Sequence, residues 1–174
     1  MRFLIGLAAV AVASAAFAAE YKLTGENTKI EWTGTKKDGK HTGGFSKVSG
    51  SIDTEKKTLD VTIECDSITC SDEPSGKLVE HLKGKDFFDV KTNPKATFKA
   101  TKVEKDGDKV KVTGDFTLCG KTKAITFPAT LGEKDGTLTL TAEFKINRTD
   151  YGMTYGAGKL DDDVALKVSV TAKK

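Results

Sequence analysis

The sequence of 174 residues contains few of the side chains that carry most enzyme chemistry. It has two histidines, three cysteines, three prolines and one tryptophan. His41 and His81 are the side chains best suited to acid–base catalysis near neutral pH, and neither lies in a recognisable nucleophile motif. We therefore expect a protein that is not an enzyme.

An excess of charge of one sign is also missing, because 28 basic side chains face 25 acidic ones. This balance gives no indication of nucleic acid as a partner. The spacings of His41, His81 and the cysteines match no common zinc pattern, so no metal site is predicted. Asp161–Asp163 lacks the alternating ligands of a calcium loop and is interpreted as a solvated turn. No cofactor is expected.

Long apolar runs are absent after the first residues of the chain. A short positive start precedes the apolar run Phe3–Val12, and small residues follow at the positions that a signal peptidase recognises. We interpret residues 1–19 as a signal peptide cleaved after Ala18 or Ala19, and residues 20–174 as one domain. The protein is then expected to be periplasmic or secreted, in a bacterium.

Three cysteines, Cys65, Cys70 and Cys119, would permit one disulfide in an oxidising compartment. A disulfide could join any two of the three cysteines, and three free thiols are an equal alternative. Cys65 and Cys70 are so close in sequence that they can join only if Asp66–Thr69 turns the chain. The sequence leaves these alternatives open.

Alternation of apolar and polar residues with a period of two dominates the chain from Tyr21 onward, which is typical of strands with one buried face. The alternating segments are Ile30–Gly34, Phe45–Ile52, Leu59–Ile63, Ala96–Ala100, Val110–Leu118, Ile125–Leu131, Leu138–Ile146 and Val164–Val170. Asp-Gly turns separate several of them. Only Ser75–Lys83 has a helical pattern, with Leu78, Val79 and Leu82 on one face. We predict an all-β fold, an extended antiparallel β-barrel of roughly eight strands with one short helix.

The interior of such a barrel is predicted to be apolar, and this leaves two functions open. An eight-stranded barrel can be packed solid by side chains or can hold one small ligand. Phenylalanines at alternating strand positions suit a core and a hydrophobic pocket equally well. A charged, water-filled pore is excluded, because the inward positions are mostly Val, Leu, Ile, Phe and Ala.

Seven short motifs follow one another along almost the whole chain after the first residues. They are His41–Phe45, Gly50–Ile52, Ser67–Thr69, Leu82–Val90, Asn93–Phe98, Gly114–Lys123 and Ile146–Met153. Together they resemble the YceI-like polyisoprenoid-binding proteins. Cys119 stands where that family often has His or Arg before the glycine of a turn, and Cys65 and Cys70 are not part of the family pattern.

The resemblance implies a lipocalin-like barrel in the bacterial periplasm or outside the cell, which encloses the long chain of a quinone or polyprenyl lipid. It implies binding for storage or transport, without catalysis. A carrier of this kind would contact a membrane only transiently. The alternatives are a carrier of another amphiphile, such as a fatty acid amide, and a solid barrel whose outer surface binds an envelope protein or a membrane.

The strand pattern predicts which side chains face the ligand, subject to correct phasing of each strand. The candidate ligand-binding residues are Trp32, Phe45, Phe98, Val112, Phe116, Phe127, Leu140, Phe144 and Ile146, with Tyr151 and Tyr155 near one end. Two further motifs are predicted to be architectural. Phe87-Phe88 would plug a barrel end, and Asn147–Asp150 would form a hydrogen-bonded corner in which Arg148 pairs with a carboxylate.

Overall fold

The computed structural model describes residues 20–74 and 76–174. The expected signal peptide, residues 1–19, lies outside the described residues. Within the described ranges, no helix is long and apolar enough to cross a membrane.

The described strands form one antiparallel sheet of 11 strands. They are β1 (Glu20–Thr24), β2 (Thr28–Lys36), β3 (Gly39–Phe45), β4 (Val48–Asp53), β5 (Thr58–Glu64), β6 (Ile68–Cys70), β7 (Lys95–Asp106), β8 (Lys109–Leu118), β9 (Lys121–Lys134), β10 (Thr137–Asn147) and β11 (Leu160–Lys173). The hydrogen-bonded order is β1-β4-β5-β7-β8-β9-β10-β11-β2-β3-β6. The helix α1 (Lys77–Lys83) and two short 3₁₀ turns (Cys65–Ser67 and Arg148–Tyr151) complete the fold.

The all-β antiparallel fold with one short helix is confirmed, although the sheet has more strands than the roughly eight expected. Strand β1 is short, β6 has three residues, and β3 has the sequence GKHTGGF, in which no apolar alternation exists. Hydrogen bonding to neighbouring strands holds these three strands in place. Their own sequences do not reveal this pairing, so the apolar pattern does not predict them. The helix begins after Gly76, whose positive φ of 74° is not helical.

Short connections force the sheet to curl into a barrel-like shape. Strands β3 and β4 are eight places apart in the sheet order, a separation of roughly 40 Å in a flat sheet. The link between them, residues 46–47, can span only about 11 Å. The links from β1 to β2 and from β5 to β6 also join the two ends of the order. The two sheet ends must therefore lie close together, around a common interior.

The turn after β4 depends on a buried carboxylate, that of Asp53, which is 4% exposed. It accepts hydrogen bonds from Nζ of Lys56 at 2.8 Å and from the backbone amides of Glu55 at 3.0 Å and Lys56 at 2.8 Å. The hydrogen bond from the Lys56 side chain is the main reason why the pKa of Asp53 lies below its ordinary value of 3.8.

We expect Asp53 to contribute to the acid sensitivity of folding. A lowered pKa in the folded state gives a stabilisation that is present above pH 3.8 and is lost as pH falls through the folded-state pKa. Urea denaturation at a series of acidic pH values should show a shallower loss of unfolding free energy for Asp53→Asn than for the wild type. Equal slopes in that range would contradict this role.

Candidate functional site

An apolar cavity of about 160 Å³ lies in one half of the barrel-like fold, beneath α1. Its floor and walls come from inward side chains of the sheet, among them Phe116 of β8 and Ile146 of β10. Trp32 of β2 forms part of the wall. Neighbouring Gly43 of β3 makes room for the Trp32 ring, because a Cβ at Gly43 would collide with that ring and with the Thr69 carbonyl oxygen.

The roof of the cavity consists of α1 and the turn that follows it. Leu78 and Leu82 of α1 line the cavity, and so do Phe87 and Phe88 of the turn. The Phe88 ring meets the Phe45 ring edge-on at 5.9 Å between centroids. The turn is fixed by backbone hydrogen bonds, including one from the Phe88 amide to the Leu82 carbonyl oxygen at 3.0 Å. Phe87-Phe88 therefore closes this end, as the sequence predicts.

Arg148 holds the chain segment that bounds the cavity on another side. Its guanidinium is buried and donates to the carbonyl oxygens of Met153, Tyr155, Leu160 and Asp161. It also pairs with the Asp162 carboxylate at 3.0 Å. The expected corner with an Arg–carboxylate pair is confirmed. Because most of the partners are backbone carbonyls, the role of Arg148 is to fix the path of residues 153–161.

Aromatic side chains fill another part of the interior. Three phenylalanines from β7, β9 and β10 pack in series. The ring centroids are 5.5 Å apart for Phe98 and Phe127 and 4.2 Å apart for the stacked Phe127 and Phe144. Gly114 makes room for Phe98, since a Cβ there would lie 2.5 Å from the ring. Val112 and Leu140 line a second, more open depression of about 480 Å³, so the interior outside the cavity is not solid throughout.

The structure distributes the candidate ligand-binding residues over both parts of the interior. Those that line the cavity are Trp32, Phe45, Phe116 and Ile146. Those that pack in the interior without lining it are Phe98, Val112, Phe127, Leu140, Phe144 and Tyr151. Tyr155 is 48% exposed and packs against His81 and Phe87 at the outside of the roof. Whether any of these residues contacts a ligand stays a prediction.

Sequence reasoning missed cavity residues inside the predicted strands, such as Ile63 and Ala96, and others outside the regular strand pattern. Leu82 has a visible signal, because it lies on the apolar face of the predicted helix. Met153 and Leu160 have none, since they line the cavity only because Arg148 fixes their segment. The roof as a whole depends on where α1 packs, which alternation in strands does not reveal.

Polar groups occur at the rim of the cavity and beside its roof. His41 lines the rim, and its Nδ1 lies 3.0 Å from an Asp72 carboxylate oxygen. The Thr42 backbone amide donates to Asp72 and is the main reason why the pKa of that carboxyl falls to about 2. His81 of α1 makes a similar contact of 3.0 Å with Asp86.

The three cysteines carry free thiols in the structure, so it contains none of the disulfides that the sequence left open. Cys65 is almost completely buried, and burial raises the pKa of its thiol to about 12. Burial also raises the pKa of Cys119 to about 11. Cys119 packs against the roof turn, with Sγ 3.5 Å from the Phe87 carbonyl oxygen.

We expect a thiol-alkylating reagent at neutral pH to modify Cys70 and Cys119 before Cys65, because Cys65 combines the deepest burial with a pKa of about 12. Mass spectrometry of the native, unreduced protein over time would give this order. All three cysteines should accept the label once the protein is unfolded without reductant. A protein that accepts only one label under those conditions would contain a disulfide.

Comparisons with known proteins agree on one family. Residues 21–172 match the model of the YceI-like domain. Protein YceI of Salmonella arizonae is 34% identical over 176 aligned residues, which cover 89% of this chain and 87% of that protein. Protein YceI of Salmonella newport gives the same values.

Solved structures share the fold. BcnA of Burkholderia cenocepacia superimposes with a TM-score of 0.75 and 27% identity, covering 84% of this chain and 96% of that one. The Campylobacter jejuni YceI protein gives a TM-score of 0.67 and 33% identity over 76% of this chain and 84% of that one. A polyisoprenoid binding domain from Saccharophagus degradans gives a TM-score of 0.69 at 15% identity, over 90% and 98% of the two chains. The chain therefore belongs to the YceI-like domain family.

Proposed function

We propose that this protein binds the isoprenoid chain of a quinone or polyprenyl lipid in the cavity beneath α1, and that it stores or carries this lipid in the bacterial periplasm without catalysing a reaction. The observation that carries the proposal is the cavity itself, which is lined almost entirely by aliphatic and aromatic side chains. The Saccharophagus degradans domain with the same fold, described as polyisoprenoid binding, supports this ligand class.

Burial of hydrocarbon supplies the free energy for binding such a ligand. Each buried methylene-sized group gains about 0.8 kcal/mol, so one isoprene unit of five carbons gains roughly 4 kcal/mol. Association itself costs at least several kcal/mol. Two or more buried isoprene units are therefore needed for useful affinity, and selectivity follows from chain length and shape.

The size of the cavity limits how much of the chain fits without a change in the roof. A volume of about 160 Å³ is close to that of a cavity of roughly 150 Å³ that binds benzene, and below the usual range of about 300–1,000 Å³ for ligand pockets. It accommodates about one isoprene unit. We propose that α1 and Phe87-Phe88 move outward when a longer chain enters.

We propose that Trp32 supplies a polar group for the head of the ligand. It is 9% exposed and lines the cavity, and its indole Nε1 has no hydrogen-bond partner among the described residues. An unpaired buried donor costs about 1–3 kcal/mol. An acceptor oxygen on the bound lipid, such as a quinone carbonyl, would remove that cost.

Trp32 is also the single tryptophan of the chain, so its fluorescence reports on the cavity. We expect saturable quenching with 1:1 stoichiometry by a benzoquinone that carries a tail of several isoprene units. A tail-free benzoquinone should quench only by collision, without saturation. A polyprenol should compete with the tailed quinone, and competition by a fatty acid amide alone would favour the other amphiphile. Equal, unsaturable quenching by both quinones would contradict the proposal and favour a solid interaction module.

A further inference from the structure

Three side chains of types that can bind a metal ion converge at the sheet edge where β3 pairs with β6. They are His41 of β3, Cys70 at the end of β6 and Asp72 just beyond it, and one donor atom from each lies within 4.8 Å of the other two. The His41 Nδ1 to Asp72 Oδ2 distance is 3.0 Å, and the Cys70 Sγ to Asp72 Oδ1 distance is 3.2 Å. In residues 20–74 and 76–174, these residues form the one such group of three.

The backbone fixes these residues relative to one another. Gly43 of β3 is directly opposite Cys70 in the β3–β6 ladder. Beyond the ladder, the Ser71 amide donates to the Thr42 carbonyl oxygen at 2.8 Å, and the Thr42 amide donates to the Asp72 carboxylate at 3.0 Å. The cluster is therefore held by strand pairing between distant parts of the chain. This is why the residue spacings showed no zinc pattern.

We propose that His41 Nδ1, Cys70 Sγ and the Asp72 carboxylate form a binding site for a zinc-class divalent transition-metal ion. One imidazole, one thiolate and one carboxylate are all zinc ligands, and three protein ligands plus water complete a tetrahedral site. Zinc bonds of about 2.0–2.3 Å place neighbouring donors about 3.3–3.6 Å apart. The present contacts of 3.0 Å and 3.2 Å, which involve the two different Asp72 carboxylate oxygens, have to open by about half an ångström. The separation between the His41 and Cys70 donors, at most 4.8 Å, has to close by up to about 1.2 Å.

Charge and proton balance are satisfied at this site. The metal bond to sulfur replaces the Cys70 S–H bond and releases one proton to solvent. The metal bond to Nδ1 replaces the hydrogen bond from Nδ1 to Asp72, so the imidazole proton leaves Nδ1 and is taken up at Nε2 through solvent. The exposed Lys36 ammonium, whose Nζ lies 3.4 Å from that Nε2, then has to turn away into solvent. The site does not depend on the proposed lipid binding, although His41 also lies at the cavity rim.

The experiment uses the untagged, metal-free, reduced protein and two probe ions. Titration calorimetry with zinc chloride should give one ion per chain. Cobalt chloride should give a thiolate-to-cobalt charge-transfer band and the visible bands of tetrahedral cobalt. Zinc should then displace cobalt and remove these bands. Absence of 1:1 zinc binding, or a cobalt complex without the thiolate band, would overturn the proposal.

Matched variants identify the ligands. Cys70→Ser and Asp72→Asn are expected to weaken zinc binding at least about tenfold, and Cys70→Ser should abolish the thiolate band. Cys119→Ser and His81→Asn are controls of the same residue types outside the cluster, and they should bind like the wild type. Lys36→Gln removes the nearby positive charge and should tighten binding. Circular dichroism confirms that each variant is folded. Unchanged affinity in folded Cys70→Ser and Asp72→Asn would refute the assignment.

Discussion

Ala96→Leu is expected to abolish lipid binding while the protein remains folded and close to wild-type stability. Ala96 of β7 is buried and lines the cavity, so the three added carbon atoms enter empty space. They occupy most of the volume that the first isoprene unit needs, and they gain apolar contacts in return. The tailed-quinone titration of Trp32 fluorescence measures the first effect, and urea denaturation measures the second.

Ala129→Leu is the matched control at a buried position that does not line the cavity. Ala129 of β9 is equally buried, pairs with Val110 and Ala142, and does not line the cavity. The same enlargement has no empty space to enter there and should lower the unfolding free energy by about 1–3 kcal/mol, with lipid affinity retained. Equal loss of lipid binding in both variants would contradict the assignment of the cavity as the binding site.

Arg148→Leu is expected to lower the unfolding free energy by about 3 kcal/mol and to loosen residues 153–161. Leucine fills much of the same space but leaves the buried Met153 carbonyl oxygen and the partly buried Leu160 carbonyl oxygen without the donors that they now have. Urea denaturation measures the stability, and amide hydrogen exchange should show loss of protection at Leu160, whose amide now donates to Gly156.

Asp162→Asn separates the two roles of Arg148. The Asp162 carboxylate is 53% exposed, so loss of this ion pair should cost less than about 1 kcal/mol. The backbone contacts of the guanidinium remain in this variant. A cost for Asp162→Asn as large as that of Arg148→Leu would show that the ion pair, and not the carbonyl contacts, fixes the corner.

Much of the fold can be predicted from the sequence, because apolar and polar residues alternate wherever one face of a strand is buried. The long strands β8 to β11 are the best examples. Strand β3 cannot be predicted in this way, since its three glycines and one threonine show no alternation of apolar and polar residues. Its position is set by its partners β2 and β6. Local sequence therefore indicates the class of the fold better than the number of strands.

The same alternation predicts only part of the candidate site. Phe116 and Phe127 have the same inward pattern in sequence, yet Phe116 lines the cavity and Phe127 packs between Phe98 and Phe144. The difference depends on which rings meet across the interior, and only the three-dimensional packing determines that. The convergence of His41, Cys70 and Asp72 depends in the same way on strand pairing.

Native mass spectrometry of the protein purified from a bacterial periplasm, before and after organic extraction, tests the proposed lipid binding most directly. We expect one additional mass per chain that extraction removes and that chemical analysis identifies as an isoprenoid lipid, and Ala96→Leu should lack it. A chain that carries no lipid, and that acquires none after incubation with tailed quinones or polyprenols, would contradict the proposed function.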